Sequence, residues 1–171
     1  TLDKDKVPEG ARANLDTAVM HRQFDVSIGK GDTGTLIDAV KKLNALPHDG
    51  YVGWLGAKIV SEAANPAGML AEIGKVAPAM KEQLTAKAMT FWAKQDVVSA
   101  SAYLAEHPEM GDQGVIGLLP QIADDPESAV TWAMKIQEPK TRNTWLESYL
   151  PSLRAVNPAK ADEISRQIST P

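Results

Sequence analysis

Asp125-Pro-Glu-Ser-Ala-Val-Thr-Trp-Ala-Met-Lys-Ile136 decides how the rest of the chain is read. It reads as one helix. Asp125 suits an N-cap, because its carboxylate can accept from the orphan amides two and three residues on. Pro126 then falls at the first helical position, where a missing N–H costs nothing. Ala129, Trp132, Ala133 and Ile136 follow at offsets of four, seven, eight and eleven, one face of a 3.6-residue period.

Similar starts recur on both sides. Asp96-Val-Val-Ser-Ala-Ser-Ala-Tyr shares the Asp, the Ser-Ala at offsets three and four, and an aromatic at offset seven. Asn65-Pro-Ala-Gly-Met and Asn157-Pro-Ala-Lys-Ala open with an amide in place of the acid, and Asp32 opens a looser copy. These starts lie 33, 31, 29 and 32 residues apart. Offset four is Leu36, Met69, Ala100, Ala129 and Ala161; offset eleven is Leu43, Val76, His107, Ile136 and Ile168. All but His107 are apolar, as a buried stripe requires. A second register agrees: Pro47, Pro78, Pro108 and Pro139 fall 31, 30 and 31 residues apart. Proline cannot continue a helix and pushes the preceding residue out of the α region, so each unit reads as helix, proline turn, helix.

The prediction is an all-α fold, an α-solenoid of antiparallel helix pairs stacked with a right hand around one core, about five units of roughly 31 residues. Residues 1–8 read as a lead-in and 9–31 as an N-terminal helix and hinge. Helix-pair units follow at 32–64, 65–95, 96–124 and 125–156, then a half-unit at 157–171. The second helices are expected at Gly50–Ala63, with Val52, Leu55, Ile59 and Ala63 inward; at Pro78–Lys94, with Leu84, Ala88 and Phe91 inward; at Gln113–Ala123; and at Arg142–Val156. Leu119-Pro-Gln-Ile122 matches Leu150-Pro-Ser-Leu153, and the late proline in each predicts a bend or break.

Asp125, Pro126, Ala129, Trp132, Ala133, Ile136, Pro139 and Arg142 together resemble the DP-x-x-A-x-x-W-A helical repeats of large proteins from planctomycete and verrucomicrobial bacteria. The resemblance runs from Asn65 onward and is best over 120–160; the Asp32 unit lacks both the proline and the aromatic. It implies a repeat scaffold and an extracytoplasmic location. It carries no catalytic residues.

Composition narrows the function classes. With a net charge of −4 and basic residues scattered singly, no nucleic-acid partner is expected. No apolar run approaches the roughly 18 residues of a spanning helix, so no membrane insertion is expected. The chain has 24 alanines against two phenylalanines, which favours closely packed helices, and no cysteine, which excludes disulfides and thiolate metal sites. It opens on Thr1 in place of methionine, as expected of a trimmed or processed polypeptide.

Catalytic motifs find little support. Gly29-Lys-Gly31-Asp-Thr-Gly34 spells G-x-G-x-x-G, with Phe24–Ile28 posing as a preceding strand and Asp49 as a ribose-binding acid. A dinucleotide fold needs strands alternating with helices, and no further strand-like runs occur. The glycines read better as a hinge leading into the Asp32 cap. His21, His48 and His107 have no metal-ligand spacing, Asp124-Asp125 reads as a cap, and no serine sits in a G-x-S-x-G elbow. No catalytic residue, metal or cofactor is therefore expected.

The aromatics carry the binding hypothesis. Tyr51 and Trp54 lie three apart in one second helix, Trp145 and Tyr149 four apart in another, and the two tryptophans fall at comparable places in their units, 22 residues after Asp32 and 20 after Asp125. A solenoid commonly offers one helix layer as its binding face, and Trp and Tyr are favoured anchors. The competing assignment is that these rings fill gaps between helix pairs, as expected of Trp132 and Tyr103. The function expected is non-catalytic binding or scaffolding of another protein. The alternative is a structural segment that stacks on further repeats or on its own copies. A nucleotide-dependent enzyme, resting on the Gly29–Gly34 loop alone, is the third.

Overall fold

Every backbone segment placed by the computed structural model, which describes residues 22, 25, 26, 32–45 and 50–169, is helix, turn or connecting loop. Among these residues nine α-helices follow one another and no strand forms: α1 (Thr33–Asn44), α2 (Gly50–Ser61), α3 (Pro66–Val76), α4 (Lys81–Gln95), α5 (Val97–Glu106), α6 (Gly111–Leu118), α7 (Pro126–Ala133), α8 (Pro139–Val156) and α9 (Pro158–Ser169). The expected lead-in, most of the first helix and hinge, Pro47, His21, His48, Asp49 and Gly29–Gly31 lie outside the described residues. Asp25 and Val26 are helical, where the dinucleotide reading required a strand.

All five predicted caps form. The backbone amide three residues on donates to Asp32 (2.8 Å), Asn65 (2.9 Å), Asp96 (3.0 Å), Asp125 (3.2 Å) and Asn157 (3.2 Å). In the three acidic cases the second carboxylate oxygen accepts the hydroxyl of the same residue, from Thr35, Ser99 and Ser128. This is the chemistry behind Ser at offset three. Asp96 and Asn157 also close the preceding helix, donating their amides to Trp92 O and Leu153 O, so one extended residue is the whole joint between two helices. The periodic prolines open second helices: Pro78 and Pro108 each start a single 3₁₀ turn ahead of α4 and α6, and Pro139 is the first residue of α8. Gly111, at φ 60° and ψ −160°, makes the corner into α6 in a region open only to glycine.

The stripe at offset four lies in the core. Leu36, Met69, Ala100, Ala129 and Ala161 are all completely buried. At offset eleven Leu43 and Ile136 are buried, whereas Val76, His107 and Ile168 are half-buried near helix ends. Helix α4 is central, packing against α2, α3, α5 and α6. Its contact with α6 depends on Gly117, where a Cβ would lie 2.4 Å from Ala86 O and 2.8 Å from Met89 Cβ. Farther along, α8 packs between α7 and α9.

Four local expectations are corrected. Helix α7 stops at Ala133 instead of reaching Ile136; its bonds tighten to the i→i−3 pattern at Lys135 and Ile136, which still buries the Ile136 side chain. The helix expected at Gln113–Ala123 runs Gly111–Leu118, and Pro120 sits in a 3₁₀ turn, Leu119–Gln121. Pro151 causes no such break, because α8 runs through it to Val156. Pro151 is exposed, on a side of the helix where water can serve the carbonyl that loses its amide partner. Phe91, expected in the core, is 37% exposed. Being enclosed by four helices, α4 buries an arc of Leu84, Thr85, Ala88, Met89 and Ala93, and Phe91 falls at its edge.

Candidate functional site

The predicted aromatics separate into two kinds. Tyr149 is 7% exposed and donates its hydroxyl to Leu119 O at 3.1 Å, tying α8 to the turn after α6. Trp145 is half-buried against the core and stacks on Tyr149, with ring centroids 6.0 Å apart. This pair packs mainly inward, with Trp145 keeping part of its surface exposed. Trp54 differs: its side chain is 57% exposed. Tyr51 lies in the same helix, and its side chain is outside the described residues. Trp132 and Tyr103 are packed against the core as gap fillers, Trp132 beneath Lys135 Nζ at 3.9 Å and Tyr103 between Trp92 and His107.

Trp54 stands over a groove of about 510 Å³ between α2 and α4. Helix α2 contributes Trp54, Lys58 and Ser61, and α4 contributes Gln83, Lys87 and Phe91. The α4 residues are spaced by four, so they form one row along that helix. Small residues of α2 keep the groove open: Ala57 lines it, and Gly53 leaves room for the Gln83 amide, 2.7 Å from where a Cβ would be. Ser61 is occupied by its own helix, donating to Lys58 O at 2.6 Å. Lys58 Nζ lies 5.7 Å from the Trp54 ring centroid, within cation–π reach, and 3.5 Å from Asp25 Oδ1. None of the described lining residues is acidic. Two exposed aromatics and two ammonium groups thus face solvent together, on a chain whose net charge is negative.

A second, smaller cavity of about 340 Å³ gathers Lys81, Glu82, Thr85, Glu109, Asp112 and Gln137. Its central carboxylate already has structural work. Asp112 accepts the amides of Gln137 (2.7 Å) and Glu138 (3.0 Å), fixing the turn before α8 to the start of α6. Glu109 accepts from His107 Nδ1 at 2.7 Å, and that bond holds its carboxyl below the usual range. Among the described residues no group of three or more His, Asp or Glu side chains is placed to hold a metal ion. No helix among them is long and apolar enough to cross a membrane.

No family model, curated protein or solved structure matches this chain. The site is therefore read from its own geometry. The sequence points to Trp54 but not to its groove neighbours Gln83, Lys87 and Phe91, since Phe91 shares a helical face with Leu84 and Ala88 and is expected inward with them. The row Gln83–Lys87–Phe91, polar at two of its three positions, was the available signal.

Proposed function

We propose that this chain is a non-catalytic helical-repeat module that binds another protein through the groove between α2 and α4. The observation that carries the reading is Trp54, exposed over half its surface beside exposed Phe91 in an open groove. An exposed large aromatic pair is costly to leave in water and is the usual chemistry of a binding hot spot. The scaffold behind it is proposed to be a solenoid of like units. In support, five caps make the same bond at near-equal intervals, the offset-four residue is fully buried in each, and successive segments are tied about one period apart by Tyr149 to Leu119 and by Asn157 Nδ2 to Glu127. The resemblance to DP-x-x-A-x-x-W-A repeats points the same way.

The test is selection of random peptides, roughly 16 residues long so that four helical turns are possible, on the immobilised chain. Binders should lose at least about tenfold in affinity on Trp54→Ala and on Phe91→Ala, while both variants melt like the parent. Affinity unchanged in both variants would show that the groove is not the docking face.

A further inference from the structure

We infer that the occupant of the α2–α4 groove is an acidic, amphipathic peptide segment of a partner protein. The inference rests on the reading of this groove as a docking face and goes further in specifying the ligand's chemistry. Charge is the first argument. Lys58 and Lys87 come from opposite helices and both line the groove, whose described lining has no acidic residue, although Asp25 beside it pairs with Lys58. Two lysines with no acidic lining residue thus stand against the net negative charge of the chain.

The chain itself shows what that edge attracts. Asp25, from the segment ahead of α1, sets its carboxylate 3.5 Å from Lys58, with both side chains still well exposed. An incoming carboxylate finds the same ammonium group accessible, at a pair too solvated to hold it shut. Apolar anchoring is the second argument. Trp54 and Phe91 sit on the two helices that form the groove, so a segment lying between them meets an aromatic from each. With Ala57 beneath, the trough suits a helix placing apolar residues inward at i and i+4 and carboxylates toward the two lysines. The exposure of Trp54 argues against a small molecule, because such ligands are usually enclosed over most of their surface.

The same peptide selection decides the matter through its composition. Binders that depend on Trp54 should be enriched in Asp and Glu around aliphatic or aromatic residues. The double variant Lys58→Glu/Lys87→Glu should weaken them at least about tenfold. Raising salt from about 0.1 to about 1 M, which shortens the screening length from about 10 to about 3 Å, should weaken them as well. Trp54-dependent binders with no acidic excess and no response to charge reversal would overturn the acidic-ligand inference and leave the docking face standing. Binders indifferent to Trp54 and Phe91 would overturn both. Circular dichroism of each variant separates loss of binding from loss of fold, since all four substituted side chains lie on the surface of the groove.

Discussion

Gly117 and Tyr149 show how single residues set the spacing between helices here. A methyl group at Gly117 would meet the Ala86 carbonyl, and backbone cannot swing aside as a side-chain end can. Gly117→Ala should therefore force α6 off α4 and cost about 1–3 kcal/mol, measured by urea unfolding; an unchanged midpoint would mean that the two helices slide apart freely. Tyr149 acts by the opposite means, reaching across to bond a carbonyl. Tyr149→Phe keeps the ring and removes one of the two donors to Leu119 O, the other being the Ile122 amide, so about 1 kcal/mol should be lost. A loss well below that would mean that the Ile122 amide, or water, satisfies the carbonyl alone. The same burial sets Tyr149 apart from Trp54, which is 57% exposed and is the candidate anchor.

Helix ends are where this fold meets pH. The hydroxyls of Ser99, Ser128 and Thr141, and then the backbone amides, hold the carboxyls of Asp96, Asp125 and Glu138 below their usual range. A carboxyl whose pKa is lowered by folding stabilises the fold fully above its unfolded value, near 4. That contribution is lost as pH falls through the lowered folded value. The melting temperature should accordingly stay level from neutral pH to about 5 and drop below about 4. Ser128→Ala removes the hydroxyl bond to Asp125 and should flatten part of that acid dependence, while lowering stability at neutral pH. A melting profile with the same acid slope in both proteins would remove Asp125 from the account. Prolines behave less uniformly than caps. Pro120 ends an α-helix and Pro151 does not, although each follows a leucine late in its helix.

At the scale of the whole molecule, the proposed stacking makes stability local. Each described helix touches its near neighbours in sequence, and α8 and α9 meet α4 through no direct helix pairing of note. Ile164→Ala hollows the α8–α9 contact and should cost about 2–5 kcal/mol there. In a nearest-neighbour array, hydrogen exchange should then speed up in α8 and α9 while α2 and α4 keep their protection. Equal loss of protection throughout would mean one cooperative core and would count against the repeat model. The proposed binding face, at α2 and α4, should be untouched by this change, so the groove can be tested apart from the far end of the chain.

Periodicity, caps and prolines determined the helices of this protein, because those signals are local: a carboxylate bonds its own next turn, and a proline lacks its own amide. They also placed a stripe of the core, since offset four follows from the cap by helix geometry alone. Which side of α4 faces water was decided by tertiary packing, as four neighbours rotate its buried arc and leave Phe91 at the rim. Whether an aromatic is anchor or filler was decided there too. Trp54 and Trp145 both lie in second helices of the proposed units, yet only the neighbours around each ring settle how much of it meets solvent.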